Sequence, residues 1–225
     1  MRSLTIKNLI EFRRKSARSK KNFVTSLKVD KVKLASEGGG DYWISCLSAI
    51  SNSYKLNDLE AIKDKIDELK AKMNKTDSSR IKTMYSRNIE ILSAYQDFDL
   101  KKWRAAKKVV FQKKHKENCV LIIRGLQIQI TPHHVFTIQG NDKTEVGAIW
   151  FIAKLNGFRI EELAMFSDLL YRYLKLHFSQ QNVLNPKYCI AVDVFKKCQV
   201  NYLQIERKEI PSIVNSTLNE IRKLM

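Results

Sequence analysis

Two histidines stand at the start of TPHHVFTIQGNDKTEVGAIWFIAKLNG, residues 131–157, which reads as two apolar runs joined by a polar turn. An imidazole can act as a general base near neutral pH, but the sequence identifies no partner that would orient His133 or His134. Neighbouring residues on a strand face opposite sides, so the two side chains do not readily ligate one ion together. We therefore expect a non-catalytic role for both histidines.

The cysteines give equally little support to metal or nucleophile chemistry. Cys46, Cys119, Cys189 and Cys198 show no CxxC spacing, and the four histidines do not complete a zinc motif. No spacing of serine, cysteine, histidine and acid residues indicates a hydrolytic triad. We expect reduced thiols, as in a cytosolic protein, with no metal and no cofactor.

Cations are concentrated in two segments of the chain. The first basic segment, residues 13–21, holds six cations in nine residues, and the second basic segment, residues 101–116, holds eight cations and no acid. Trp103 and Phe111 lie within the second segment, where they could stack on bases or pack into the core beneath the lysine stems. The candidate nucleic-acid-binding residues are Arg13, Arg14, Lys15, Arg18, Lys20, Lys21, Lys101, Lys102, Arg104, Lys107, Lys108, Lys113, Lys114 and Lys116.

The overall charge favours a polyanionic partner. The chain of 225 residues carries a formal net charge of +18, and residues 1–120 hold 28 Lys and Arg against 14 Asp and Glu. Residues 121–225 hold 13 against 9, so most of the excess lies in the first half. Such a surface attracts nucleic acid through counterion release, and we expect DNA rather than RNA. Solubility is the alternative explanation.

Helical periodicity dominates the first half of the chain. Apolar spacing predicts a first helix over Leu4 to about Arg14, and a second helix that follows the SEGGGDYW stretch and has Asp41 as its cap. It predicts two further helices over residues 57–74 and over residues 78–95. Gly38, Gly39 and Gly40 are interpreted as a turn, with phosphate binding as the alternative, because the Lys-Ser or Lys-Thr of a P-loop is missing.

Strand-like runs begin after residue 118. CVLIIRG, LQIQITP, HVFTIQ and EVGAIWFIAKL predict strands, and Gly125 predicts a tight bend or a bulge. RIEELAMFSDLLYRYLKLHF predicts a helix, YCIAVDVFKKCQVNYLQI a strand or a hairpin, and PSIVNSTLNEIRKLM a closing helix with Pro211 at its start. The sequence therefore predicts a mixed α/β (α+β) fold, with a helical basic region over residues 1–117 and a small mixed sheet flanked by helices over residues 118–225.

The order of elements over residues 118–225 resembles the core of the PD-(D/E)XK nuclease superfamily. The chain also resembles a group of bacterial proteins of uncharacterised activity, which share GGDYW near the start and a GAIK-type strand. The superfamily resemblance implies an acid at the end of one strand and an acid-x-lysine triplet on the next, which together hold a divalent metal beside the scissile phosphate. A spacing of two puts the acid and the lysine on one face of the strand.

The residues of that chemistry are missing here. His133 stands where the first acid belongs, and Ala148 and Trp150 replace the acid and the lysine in GAIWF. Asp142, Glu145 and Lys154 can take the catalytic positions only if the alignment of the strand with the nuclease motif is shifted. A shift that puts Glu145 at the acid position puts Gly147 at the lysine position, so it fails as well. Asp193 is interpreted as a satisfied acid at the sheet edge. If the strand pair is that of a nuclease, Trp150 fills the cleft and packs near Phe166 and Leu170.

These observations favour a non-catalytic protein that binds nucleic acid through backbone phosphates. A partner protein would then supply catalysis, in a bacterial multi-protein system such as antiviral defence or the handling of mobile elements. One alternative is an adaptor subunit that binds an acidic protein, and another is a metal-dependent nuclease with migrated acids. No apolar run approaches the ~18 residues that a membrane helix needs, and the start lacks the pattern of a secretory signal, so we expect a cytoplasmic protein without a membrane partner.

Overall fold

The chain folds into a mixed α/β structure, as its sequence pattern predicts, with two sheets in place of the one small mixed sheet that was expected. The computed structural model describes residues 3–28, 42–105, 108–112, 119–139 and 143–225. Its helices are α1 (Ile6–Arg14), α2 (Ala17–Leu27), α3 (Ile44–Leu56), α4 (Glu60–Lys75), α5 (Ser79–Ser93), α6 (Ile160–Phe178), α7 (Tyr202–Glu206) and α8 (Val214–Lys223). Its strands are β1 (Leu4–Thr5), β2 (Val109–Phe111), β3 (Val120–Ile123), β4 (Leu126–Gln129), β5 (His134–Gln139), β6 (Thr144–Ile152), β7 (Val183–Asp193) and β8 (Cys198–Asn201).

The larger sheet has five strands in the order β2-β5-β6-β7-β8. Its centre is β6, which pairs antiparallel with β5 and parallel with β7, and α6 makes the crossover between the two parallel strands. A central position explains the long apolar run of β6, because both faces of the strand are covered. The smaller sheet has the order β1-β4-β3, with β1 parallel to β4.

Helices cover the larger sheet on both faces and create two cores. Successive strand residues point to opposite faces, so Trp150 joins one core and Phe151 the other. The first core holds α1, α2, α6, α8 and the smaller sheet. The second core holds α3, α4 and α5, together with the turn that contains Trp103.

Two glycines of the sheets meet different physical demands. Gly125 (φ +76°) follows Arg124 (φ +54°), and the pair forms the two-residue turn between β3 and β4, a turn type that requires positive φ at both positions. Gly147 lies where the pairing of β6 with β7 shifts register, and a Cβ there would come within 2.6 Å of the Tyr188 Cβ and 2.8 Å of its carbonyl oxygen. Only glycine lets these two strands approach so closely.

Most sequence-predicted elements are confirmed, with shifted ends. The helix predicted over residues 57–74 begins at Glu60, and the closing helix begins at Val214 rather than at Pro211. The stretch predicted as a strand or a hairpin is the hairpin of β7 and β8 followed by α7, and β7 starts earlier, at Val183. The sequence patterns missed α2, β1 and β2. The glycine triplet, Asp41 and the turn at residues 140–142 lie outside the described residues.

Segments on both sides of the predicted boundary at residues 117 and 118 contribute to the same cores. Strand β1 pairs with β4, β2 pairs with β5, and residues of α1 and α2 pack in the core beneath α6. The division into residues 1–117 and 118–225 stays a prediction. Within the described ranges, no helix has both the length and the apolar character that crossing a membrane requires.

Candidate functional site

Helix α2 displays the exposed cations of the first basic segment. Ser16 caps this helix by accepting the Ser19 N–H at 3.4 Å, so the chain turns sharply after α1 and keeps its cations on the outside. Lys15, Arg18 and Lys21 are exposed and form no ion pair with any described residue. The apolar side of α2 buries Val24 and Leu27 in the first core.

The other cations of this segment hold the N-terminal helices to the rest of the protein. The Arg14 guanidinium donates twice to Glu162 of α6, with Nε at 2.6 Å from Oε1. The Lys20 ammonium lies 2.7 Å from Glu220 Oε1 of α8, and Arg13 Nη1 donates to Thr217 Oγ1 at 3.2 Å. Arg14 and Lys20 thus neutralise the two acids on which α1 and α2 pack.

Helix α8 adds cations that are distant in sequence. Lys28 Nζ donates to the Met225 carbonyl oxygen at 2.6 Å, which brings the end of α2 to the end of α8. Arg222 and Lys223 are exposed on the last turn of α8, and exposed Arg124 donates to Asn219 at 2.6 Å. We define the α2–α8 surface by its cations: Arg13, Lys15, Arg18, Lys21, Lys28, Arg124, Arg222 and Lys223. No motif in the sequence links its last three members to the first basic segment.

The second basic segment lies on the opposite face of the larger sheet. Lys101, Lys102 and Lys108 are exposed, whereas Arg104 donates to the Tyr54 carbonyl oxygen and lies 5.4 Å from the centre of the Tyr54 ring. Trp103 is buried in the second core, with its ring centre 5.3 Å from that of Phe151. Its predicted packing is thereby confirmed, and the base-stacking alternative does not hold for Trp103. Lys107, Lys113, Lys114 and Lys116 lie outside the described residues.

The two basic segments are therefore not one continuous surface in the described residues. Helices α1 and α2 pack in the first core, and the turn around Trp103 packs in the second, on the other face of the five-stranded sheet. Val110 is 51% exposed, because it lies on the edge strand β2 between Val109 and Phe111, which pack against the second core.

A cavity of about 540 Å³ opens between α1 and α3 at the carboxyl end of β6. His133, Trp150 and Phe166 line its inner part, and exposed Ser48 and Asn52 of α3 line its mouth. In α/β folds, ligands bind at the carboxyl ends of parallel strands. This cavity combines such a position with a volume typical of small-molecule sites, about 300–1,000 Å³.

His133 has a defined orientation in this cavity. Its backbone N–H donates to the Ile149 carbonyl oxygen at 3.1 Å, and its Nδ1 accepts the Phe151 N–H at 3.2 Å. An imidazole nitrogen that accepts a backbone N–H carries no proton, so neutral His133 has its proton on Nε2. Because the Phe151 N–H occupies Nδ1, this arrangement does not suit proton abstraction at that nitrogen.

His134 contacts a serine but does not activate it. Its Nε2 lies 2.8 Å from Ser51 Oγ and 3.0 Å from the Ser51 carbonyl oxygen. Because a carbonyl oxygen can only accept, Nε2 carries the proton and cannot take one from the Ser51 hydroxyl. The contact between Ser51 and His134 therefore holds α3 against β5. It does not place an unprotonated imidazole nitrogen beside the serine hydroxyl, as a nucleophile and its general base require.

The described acids of the nuclease hypothesis lie at opposite ends of β6. Glu145 accepts from Asn185 Nδ2 at 2.6 Å, and Asp193 pairs with Ile152 at the other end of the strand. Seven residues at about 3.3 Å each place the two positions roughly 20 Å apart, too far for one metal site. Asp142 lies outside the described residues.

Asp193 has a structural environment, as its interpretation as a satisfied acid predicts. It is fully buried and accepts the backbone N–H groups of Phe158 at 2.7 Å, Phe195 at 3.0 Å and Lys196 at 3.3 Å. Desolvation raises the pKa of Asp193, and these hydrogen bonds act in the opposite direction. The carboxyl group thereby joins the loop before α6 to the turn after β7.

Trp150 occupies the position that the nuclease resemblance assigns to lysine. It is 9% exposed, and its ring meets that of Phe166 edge to face, with the centres 5.3 Å apart. Leu170 lies in the same core, so the predicted packing of Trp150 against α6 is confirmed. Two of the three positions to which the resemblance assigns catalytic side chains border the α1–α3 cavity: position 133, for the first acid, and position 150, for the lysine.

The described residues contain no group of three or more His, Cys, Asp or Glu side chains that could hold a metal ion. None of the four cysteines forms a disulfide, and Cys46 and Cys189 are buried. Comparison of the chain with protein-family models, with curated proteins and with solved structures gives no match in any of the three, so the resemblance to the nuclease superfamily stays a hypothesis.

Proposed function

We propose that the protein binds nucleic acid, DNA in preference to RNA, through backbone phosphates and without cleaving it. The observation that carries this proposal is the α2–α8 surface, where exposed cations from three parts of the chain come together. Phosphate contacts of this kind are independent of base sequence and supply most of non-specific affinity.

The local charge balance supports the same proposal. Residues 13–28 contain seven cations and no acid. The acids that α1 and α2 contact on α6 and α8, Glu162 and Glu220, are each paired with a cation. Lys15, Arg18 and Lys21 form no ion pair with a described carboxylate, so their field extends into the solvent, where a polyanion can bind.

The second basic segment is a further proposed contact on the opposite face of the sheet. Lys101, Lys102 and Lys108 are exposed there, and Arg104 is engaged with the backbone of α3. A partner protein that supplies catalysis, within a bacterial multi-protein system in the cytoplasm, completes the proposal.

A salt titration of binding with matched charge reversals tests the proposal. In the first variant, Lys15→Glu, Arg18→Glu and Lys21→Glu are combined, and all three residues are exposed. We expect weaker binding to labelled duplex DNA. The slope of log affinity against log salt should fall by up to about 3, because each lost phosphate contact contributes about 0.9. Affinity should vary little between unrelated DNA sequences.

The matched control combines Lys55→Glu, Lys75→Glu and Lys82→Glu, which changes the net charge equally on exposed positions of α3, α4 and α5. We expect this control to retain most of the affinity and the salt slope. Equal losses in both variants would show that net charge, and not the α2–α8 surface, attracts the ligand. An absence of binding to duplex DNA, single-stranded DNA and RNA at low salt would instead favour the adaptor for an acidic protein.

A further inference from the structure

The α1–α3 cavity combines aromatic rings with hydrogen-bonding groups. The half-buried His133 supplies the most accessible ring, the largely buried Trp150 and Phe166 supply apolar lining, and Ser48, Asn52 and Thr131 supply hydroxyl and amide groups around the opening. The aromatic part suits a flat, partly apolar ligand, and the polar groups suit a ligand whose edge carries donors and acceptors. A nucleobase has both properties, and base–aromatic stacking contributes about 1–3 kcal/mol per base in single-strand binding proteins.

A second hollow of about 300 Å³ adjoins this cavity along α1. Lys7 and Lys154 contribute positive charge to its walls, Arg14 is paired with Glu162, Glu11 contributes a negative charge, and Trp43 and Phe158 contribute rings. Lys7 lines both hollows, so its side chain borders the passage between them.

Helix α1 connects these hollows to the α2–α8 surface. The residues Lys7, Glu11 and Arg14 line the second hollow and follow one face of α1, at the spacing of helical turns. Lys15 and Arg18 follow directly at the start of α2. A strand that binds the α2–α8 surface through its phosphates can therefore reach the cavity along α1 with its backbone close to cations.

We propose that the α1–α3 cavity receives one unpaired nucleotide of the bound strand. This inference rests on the proposed function and makes it more specific, because a base that is paired and stacked in a duplex cannot enter a cavity beside β6. The preferred ligand is then single-stranded nucleic acid, or a duplex end with an overhang. A free nucleotide shares the same chemistry and is the alternative source of the ligand.

Binding of three probes separates these ligands: a short labelled single strand, the same strand annealed to its complement, and adenosine 5′-monophosphate. We expect wild type to bind the single strand more tightly than the duplex, and the preference to increase with salt as phosphate contacts are screened. Adenosine 5′-monophosphate should bind weakly and compete with the single strand but not with the duplex.

Ser48→Phe tests the cavity directly, since Ser48 is exposed on α3 and its replacement fills the mouth without disturbing either core. We expect the variant to lose single-strand affinity by at least about fivefold, the lower end of what one base stack contributes, and to keep duplex affinity. Ser86→Phe is the matched control, because Ser86 is exposed on α5 and borders neither hollow. Asn52→Ala, which removes an amide from the cavity mouth and adds no bulk, should also lower the affinity for the single strand.

Three outcomes would overturn the inference. If the wild-type protein bound single strand and duplex with equal affinity, the cavity would not receive an unpaired nucleotide, and the proposed function would remain intact. Unchanged single-strand affinity in both Ser48→Phe and Asn52→Ala would place the unpaired base elsewhere. Binding of adenosine 5′-monophosphate without binding of either polymer would identify a site for free nucleotides and would contradict the proposed function as well.

Discussion

At the scale of single residues, position 150 departs from the pattern that the nuclease resemblance implies. A lysine at this position would need a polar surrounding and an acid partner. Trp150 instead packs edge to face on Phe166 within the first core. His133 across the sheet accepts a backbone N–H and does not present a carboxylate. The two side chains make this end of the sheet an aromatic cavity wall.

Replacement of Trp150 tests this packing. We expect Trp150→Ala to lower the free energy of unfolding by about 3–5 kcal/mol, because it removes a large buried ring and leaves a void. Trp150→Lys should also destabilise, since a buried ammonium without an acid partner loses its hydration. Denaturant unfolding of both variants measures these changes, and Trp150→Phe, which keeps an aromatic contact with Phe166, is the control. Stability equal to wild type in Ala and Lys variants would contradict the burial of Trp150.

At the scale of elements, ion pairs and hydrogen bonds attach α1 to α6. Glu162 is 5% exposed, receives Arg14 from α1 and also accepts the Arg159 N–H at 2.9 Å at the start of its own helix. One carboxylate therefore caps α6 and joins it to the N-terminal helix. Desolvation raises the pKa of Glu162, but the hydrogen bonds from Arg14 and Arg159 outweigh it and leave the pKa below its ordinary value.

This lowered pKa predicts a pH dependence of stability. As pH falls, the Glu162 carboxylate takes up its proton at a higher pH in the unfolded chain than in the folded chain. The contribution of Glu162 to the free energy of unfolding is therefore complete above its ordinary pKa of about 4.3. It is lost as pH falls through the lower pKa of the folded state. We expect Glu162→Gln to reduce stability at pH 7 by about 1.5–3 kcal/mol, as for a hydrogen bond to a charged group. The difference from wild type should shrink at acid pH.

Denaturant unfolding at several pH values between neutral and strongly acidic checks this expectation. The comparison with Glu162→Gln is needed because the raised pKa of Asp193 gives wild type a contribution of opposite sign. Glu220→Gln is a suitable control, since Glu220 pairs with Lys20 but its side chain is 41% exposed. A difference that stays constant with pH would show that Glu162 acts through packing rather than through its charge.

At the scale of the whole molecule, residues from both halves of the chain build each core. The described cations of the two basic segments belong to parts of the chain that pack on opposite faces of the larger sheet. The two described acids of the nuclease hypothesis are not grouped together. Glu145 lies near the start of β6, Asp193 lies on β7 beside the end of β6, and each carboxylate accepts hydrogen bonds from neighbouring residues. This distribution suits binding of a polyanion and does not assemble a metal site from the described residues.

We therefore expect the purified protein to leave DNA and RNA intact in the presence of Mg²⁺ or Mn²⁺. Gel analysis of single-stranded, duplex and RNA substrates after long incubation measures this directly. Asp193→Asn and Glu145→Gln provide the comparison, because a real activity would depend on at least one of them or on Asp142. Metal-dependent cleavage that disappears in Asp142→Asn protein would instead support the nuclease with migrated acids.

The sequence by itself determined the element types and the location of the charge. The apolar run of β6, the helical period of α6 and the turn at Gly125 are local patterns, and local physics suffices to interpret them. The two short strands β1 and β2 were missed because two or three residues carry no period, and their pairing depends on partners far along the chain. Helix α2 was missed because its cations obscure the apolar spacing of Phe23, Val24 and Leu27.

Only the tertiary structure decided which of these residues meet. The sequence grouped the cations by their proximity along the chain, but packing assigned Arg14, Lys20 and Arg104 to internal contacts. It also joined α2 to α8, which carries Arg222 and Lys223 and which Arg124 contacts through Asn219. It also placed His133 and Trp150 at one cavity with α3, a helix that precedes them by about a hundred residues. The physical reason is that side-chain contacts across a sheet depend on strand order and register, which the local sequence pattern does not encode.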